Sequence, residues 1–315
     1  MSTYEIKQGD SLEILSKLDA ESIQCVVTSP PYWGLRDYGV EGQLGCEPTP
    51  DEYVTNMVKV FKEVRRVLKN DGTLWLNIGD TYAANRSYQV PSSKGGDKHS
   101  PAQGFEGSGM HVPPGCKQKD LIGIPWMLAF ALRADGWYLR QDIIWHKPNA
   151  MPSSVKDRPS TDYEHVFLLT KSPKYYYDHL ATQQPSANAG KVVKLGKKSF
   201  SKGQANGAGI APSGNGLADT YTVPEKRNLR SVWSINTQPY AGAHFAVFPE
   251  KLVEPCILAG SKVGDTVLDP FSGSGTTGAM AIRLERDFMG IELNPEYIDL
   301  AVKRISKEIK DVGTL

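Results

Sequence analysis

Absences narrow this chain before any motif does. Four cysteines (Cys25, Cys46, Cys116, Cys256) are scattered over 315 residues with no C-x-x-C pair. Neither a disulfide framework nor a structural zinc site is therefore expected, and the thiols are expected to be reduced. No apolar run approaches the roughly 20 residues that span a bilayer. The opening Met-Ser-Thr-Tyr-Glu-Ile-Lys has no basic-then-apolar leader, so a cytoplasmic protein with no membrane partner is expected. Charge of one sign is missing too: 36 Lys and Arg stand against 35 Asp and Glu, and no global basic field announces a nucleic acid. The length suffices for one large domain with an insertion, or for two domains.

The charge that is present is unevenly placed. Between residues 186 and 230 eight basic side chains, among them Lys194, Lys197, Lys198 and Arg227, face only Asp219 and Glu225. A solvated loop would look like this. So would a strip that meets backbone phosphates.

Apolar patterning is that of an α/β protein. Short apolar runs predict strands at Tyr4–Lys7, Cys25–Val27, Thr73–Ile78, Val267 and Phe288–Glu292, and an antiparallel pair at Tyr138–Trp145 and Glu164–Thr170. Helical spacing marks Ser11–Leu18, Asp51–Lys69, Ile124–Ala134, the stretch from Phe248 through Leu258, Thr277–Leu284 and Glu296–Ile309. Asp71-Gly72 reads as the stop of the second helix. Strands alternating with helices imply a mainly parallel, doubly wound sheet. Two polar stretches break the pattern, a long loop at 84–118 and the segment 186–224.

Two short segments carry chemistry. Asp269-Pro270-Phe271-Ser272-Gly273-Ser274-Gly275-Thr276-Thr277 follows the Val267 strand and opens a helix. Glycines there let backbone amides approach a ligand, and the helix start favours negative charge. Glu292 lies 23 residues beyond Asp269, at the end of the next strand, where an acid can accept hydrogen bonds from ribose hydroxyls. Gly273, Gly275 and Gly278 also satisfy G-x-G-x-x-G, so a dinucleotide site is a second reading of this half alone. The other segment, Thr28-Ser29-Pro30-Pro31-Tyr32, is a rigid double-proline turn after the Cys25–Val27 strand. Taken alone it is an ordinary turn.

Together the two segments resemble the catalytic and S-adenosylmethionine motifs of amino-group DNA methyltransferases. Their order, catalytic motif first, resembles the beta class of that family. The resemblance covers roughly residues 4–82, 121–180 and 230–308. It implies a Rossmann-like methyltransferase sheet, mostly parallel with one antiparallel strand and circularly permuted. It also implies a catalytic half at 1–175, an inserted target-recognition region at 176–230 and a cofactor half at 231–315.

The family likeness further implies S-adenosylmethionine as cofactor, no metal, and double-stranded DNA as partner. It opens two more partners, a cognate restriction endonuclease and a second copy of the chain. Asp269, Phe271, Gly273, Gly275 and Thr276 would line the methionine end of the cofactor and Glu292 its ribose. Asp10 would meet the adenine amino group, although an Asp at a helix start also serves as an N-cap. His244 and Phe245 resemble the segment against the methionine moiety, with a plain aromatic helix entry as the other reading.

An exocyclic amine is a poor nucleophile because its lone pair is delocalised into the ring. Acceptors must draw it toward tetrahedral geometry in line with the methyl donor, and positioning supplies most of the gain. Ser29 Oγ and the Pro30 carbonyl fit that role, with Pro31 stiffening the turn and Tyr32 stacking on the flipped base. Trp33, Arg36, Lys194, Lys197, Lys198 and Arg227 are the candidate DNA contacts; a core anchor is the alternative for Trp33. Trp145-His146-Lys147-Pro148-Asn149 and Arg158-Pro159 resemble a motif near the target-base pocket, with a plain hairpin turn as the other reading and no role assigned to His146. Ser at the head of the catalytic motif suggests cytosine N4, with adenine N6 as the alternative. RNA or a protein glutamine is disfavoured by Ser29 and the basic insertion.

Overall fold

The computed structural model describes residues 2–35, 40, 42–83, 112–194, 220–238 and 248–312, with Lys194 and 310–312 described by backbone alone. Two compact units emerge: Met1–Asp178 with Ser231–Leu315, and His179–Arg230.

In the larger unit the chain first runs β1 (Tyr4–Gln8), α1 (Ser11–Ser16), β2 (Ile23–Thr28), α2 (Pro50–Val67) and β3 (Leu68–Ile78). It continues through α3 (Ile124–Ala134), β4 (Tyr138–His146) and β5 (Tyr163–Thr170). The smaller unit holds four short strands, β6 (Gln184–Pro185), β7 (Val192–Lys194), β8 (Thr220–Thr222) and β9 (Lys226–Arg227). They pair as two antiparallel ribbons, β6 with β9 and β7 with β8. The chain then returns to the larger unit through β10 (Val232–Ser234), α4 (Glu250–Gly260), β11 (Thr266–Asp269), α5 (Thr276–Arg283), β12 (Asp287–Glu292) and α6 (Pro295–Val312).

Eight strands form one sheet in the order β1-β12-β11-β2-β3-β5-β4-β10. Only β5 runs against the rest. The last strand, β12, lies between β1 and β11, parallel to both, which joins the two chain ends in one sheet half and gives the permuted order. Helices α1, α2 and α3 pack in succession on one another, as do α4, α5 and α6, forming two layers. After β1 the chain starts a new path at β2, moves outward to β3, and later returns to fill β11 and β12. The strand order therefore reverses between β11 and β2, and the crevice at the carboxyl ends of two such neighbours is where open α/β sheets bind ligands.

Local chemistry explains the frame. Pro50 opens α2, and Thr49 Oγ1 caps it by accepting from Glu52 N at 3.2 Å. One α2 face (Tyr53, Met57, Phe61, Val64) is fully buried, and each such side chain contributes about 1.5–3 kcal/mol by leaving water. Asp80 caps α3 through its carboxylate, which accepts from Gly123 N and Ile124 N, both at 3.0 Å.

Two differences from the sequence reading stand out. β3 begins at Leu68 and runs through Asp71-Gly72, the pair read as a stop. Gly72 permits this because a Cβ there would meet Leu68 Cγ at 2.6 Å and Gln24 O at 2.8 Å. β10 was not anticipated: it is three residues long and exists through its pairing with Ile144, Trp145 and His146. Of the loop expected at 84–118, residues 84–111 lie outside the described residues.

Candidate active site

Strands β1, β12, β11, β2, β3 and β4 end at one edge of the sheet, and antiparallel β5 begins there. That edge opens into a cavity of about 580 Å³. On one side of the reversal its wall is the Ser29-Pro30-Pro31-Tyr32 turn with Asn77, Trp145, Lys147 and Glu164. On the other it is Pro270, Phe271, Ser272, Gly273, Ser274 and Thr276, with Glu292 and Asp10. The two segments that carry chemistry thus face one space.

Asp269 joins them. It is 1% exposed, and Oδ1 accepts from Thr28 Oγ1 at 2.7 Å and from Phe271 N at 3.1 Å, while Oδ2 accepts from Thr277 Oγ1 at 2.8 Å. Burial pushes its carboxyl up to about 6, against the pull of those donors. This corrects the expectation that Asp269 lines the cofactor site. Its carboxylate is a clamp beneath the site, tying the residue before Ser29 to the loop that follows β11. Ser11 adds a second tie, donating to Pro270 O at 2.6 Å.

The cofactor-side acid is held in place by backbone. Glu292 Oε2 accepts from Gly273 N at 2.7 Å and Oε1 from Asn294 N at 2.8 Å. Burial raises its carboxyl, and the two amides oppose the rise. Each oxygen retains a lone pair for a further donor. Ser272 and Ser274 lie on the cavity wall with buried hydroxyls that have no hydrogen-bond partner among the described residues. Burying a hydroxyl without a partner costs about 1–3 kcal/mol.

Gly275 does not reach the cavity. At φ +75° it caps α5, and a Cβ there would meet Ala301 Cβ at 2.8 Å, so its expected ligand role is corrected to packing of α5 on α6. Thr276 lines the cavity and its Oγ1 accepts from Arg304 at 2.8 Å. Asp10 caps α1 by accepting from Glu13 N at 2.9 Å, and it also lines the cavity.

On the substrate side, Ser29 Oγ donates to the Tyr32 phenol oxygen at 3.4 Å, and Tyr32 donates to Glu164 Oε2 at 2.6 Å. Glu164 also takes an N–H from Asn77 at 3.1 Å and pairs with Lys147. The Lys147 ammonium lies 4.4 Å from the centre of the Trp145 ring. Burial, and next the Glu164 charge, raise the Tyr32 phenol well above its ordinary value, so it remains a donor. Pro31 O accepts from Tyr53 at 2.8 Å, fixing the turn onto α2. No hydrogen bond to the Pro30 carbonyl occurs among the described residues.

Asn77 and Glu164 were missed from sequence. The available signal was a polar residue at the end or start of an otherwise apolar strand. Trp33 is 1% exposed, in the core, with its indole N–H on Glu47 O at 2.8 Å, which favours the core anchor over a DNA contact. Arg227 lies in β9 opposite Gln184, and Lys194 closes β7 opposite Thr220, both in the smaller unit. Arg36, Lys197, Lys198, His244 and Phe245 lie outside the described residues. Cys25 is buried in β2, where burial pushes its thiol up to about 12. No group of three or more metal-ligating side chains occurs among the described residues.

The doubly wound sheet with its single antiparallel strand shares its fold with solved DNA methylases. Residues 23–303 match the DNA methylase family, and the chain belongs to it. It is 48% identical over 306 residues to the Type II methyltransferase M.Cfr9I of Citrobacter freundii, covering 97% of this chain and 88% of that one. With the Type II methyltransferase M.SmaI of Serratia marcescens identity is 47%, over 97% and 91% of the two chains. Among solved structures, the cytosine-N4-specific PvuII DNA methyltransferase superposes with a TM-score of 0.62 at 22% identity, over 98% and 91% of the chains. The Thermus thermophilus protein TTHA0409, solved with S-adenosyl-L-methionine, gives 0.61 at 23% identity, over 98% and 95%.

Proposed function

We propose that this methyltransferase moves a methyl group from S-adenosylmethionine to the exocyclic N4 amine of cytosine in double-stranded DNA. The carrying observation is that one cavity brings Ser29 and Pro30 together with Phe271, Gly273 and the Glu292 carboxylate. The residues fit the cofactor: Glu292, held by two backbone amides, has lone pairs for the ribose, and Phe271 and Leu293 supply apolar wall. Asp10, on the same cavity wall, is the acceptor assigned in this reading to the adenine amine. When bound, the cofactor supplies an electrophilic methyl on a positively charged sulfur.

The chain's own residues do the rest. Ser29 Oγ and Pro30 O accept from the target amine, draw its lone pair out of conjugation and aim it. Tyr32, pinned by Glu164 and Asn77, presents a fixed ring to the flipped base. Cytosine is favoured over adenine by Ser29 at the head of the motif, and the N4 specificity of the PvuII enzyme supports that choice. The basic smaller unit, with Arg227 and Lys194, supports a target-recognition role at 176–230. The Type II designation of the relatives supports a place in the cytoplasm beside a cognate endonuclease; a homodimer is the remaining partner proposed.

The test is incubation with methyl-labelled S-adenosylmethionine and mixed genomic DNA, then nucleoside mass spectrometry. N4-methylcytosine is expected. N6-methyladenine would keep the enzyme class and overturn the base. No labelled nucleoside would move an RNA or protein substrate to the front.

A further inference from the structure

DNA-distorting proteins insert apolar side chains between base steps, and a base extruded from its stack opens such a space. Beside the cavity, loop 148–162 follows β4 and the cavity-wall residue Lys147. It is fixed at both ends. At its start Asn149 exchanges two hydrogen bonds with Thr237, another cavity-wall residue: Thr237 N donates to Asn149 Oδ1 at 2.9 Å, and Asn149 Nδ2 to Thr237 O at 3.2 Å. Ala150 N donates to Lys147 O at 3.0 Å. Toward its end the Arg158 guanidinium lies 3.7 Å from the centre of the Tyr82 ring, and Asp157 pairs with Lys119 at 2.7 Å.

Between the anchors the tip is apolar and bare. Met151 is 87% exposed, the highest value of any large apolar side chain among the described residues, and Val155 is 40% exposed. Pro152 disfavours helical backbone at Met151. Lys156 is exposed beside them, and the loop has no acid before Asp157. An exposed apolar tip with a lysine beside it, on roots fixed to the cavity-wall residues Lys147 and Thr237, has the form of a side chain that inserts into a duplex.

We propose that Met151 is the wedge that occupies the gap in the DNA duplex while the target base sits in the cavity, with Lys156 toward the phosphates. This rests on the DNA methyltransferase reading above. The test uses duplexes carrying a site mapped by sequencing the DNA that the enzyme methylates. One duplex has the target base paired, the other has it opposite an abasic position, where no pairing resists extrusion. Met151→Ala should slow single-turnover methylation of the paired duplex about tenfold, or about 1.4 kcal/mol. On the abasic-opposed duplex it should stay within roughly twofold of the parent enzyme. Met151→Leu should restore the paired rate, and 2-aminopurine beside the target should brighten with the parent and Met151→Leu but not with Met151→Ala. Parent-like rates for Met151→Ala on paired DNA, or an equal loss on both duplexes, would overturn the wedge and leave the methyltransferase reading intact. A parent enzyme that methylates neither duplex, nor genomic DNA, would remove that reading and the wedge with it.

Discussion

Replacing Asp269 with Asn tests the clamp beneath the active site. The carboxyl is fully buried and its pKa is raised from 3.8 to about 6. Below pH 3.8 the group is protonated in both folded and unfolded chains and costs nothing. Above about 6 it is ionised in both, and the folded state then bears the full cost of the buried charge. At 1.36 kcal/mol per pKa unit that cost is about 3 kcal/mol at pH 7.5 and only about 0.6 kcal/mol at pH 4. Stability from this group therefore falls as pH rises from about 4 to about 6, the reverse of a salt-bridged carboxylate.

An Asn side chain can keep the network. Its oxygen takes the Thr28 hydroxyl and Phe271 N–H, and its amide donates to Thr277 Oγ1, which turns its own proton to Val27 O, now 3.2 Å away. Any residual misfit of the amide is independent of pH and cancels in the comparison. Urea unfolding of both proteins at pH 4 and pH 7.5 should show Asp269→Asn gaining about 2.5 kcal/mol relative to the parent between the two values. A difference between the proteins that stays constant with pH would refute the buried-charge account of the clamp.

Ser29→Ala should lower single-turnover methyl transfer on the order of 100-fold, with cofactor affinity measured by calorimetry unchanged; lost affinity would count against Ser29 as an acceptor for the amine. Glu292→Ala should act in the opposite order, weakening cofactor binding by roughly 10- to 100-fold, since it removes a charged acceptor and frees Gly273 N and Asn294 N. Turnover at saturating cofactor should fall less, and a pure turnover defect would move Glu292 away from the ribose. Gly275→Ala should destabilise the chain by more than about 2 kcal/mol, because φ is +75° and the new Cβ would lie 2.8 Å from Ala301 Cβ. A melting temperature equal to the parent's would refute that packing role.

How much of this was legible in the sequence follows from the range of each interaction. Strand β2, helix α2 and helix α6 are local patterns, apolar runs or 3.6-residue spacing, and they lie where the pattern put them. β10 is three residues whose strand character comes from β4, nearly 90 positions earlier in the chain, so no window centred on Val232 contains it. Asp71-Gly72 misled for the same reason: a turn-forming pair was overruled by pairing of the flanking residues with β2.

Within the site, Ser29, Tyr32 and Glu292 could be named because short-range motifs hold them, whereas Glu164 meets Tyr32 across 132 positions. Asp269 and Trp33 show the opposite failure. Motif position placed both correctly, but a motif cannot say which way a side chain faces. Solvent access decides that, and both point inward. The polar residues Thr28, Asn77 and Asp269 are all buried at the carboxyl ends of β2, β3 and β11. Burying a polar group there is tolerated only because each finds a partner from a neighbouring strand or loop. Those partnerships join the ends of separate strands into one rim. An apolar strand that closes on a buried polar residue is thus a mark of an assembled site edge, and applied to β3 it would have picked out Asn77 before Glu164 was known to be its partner.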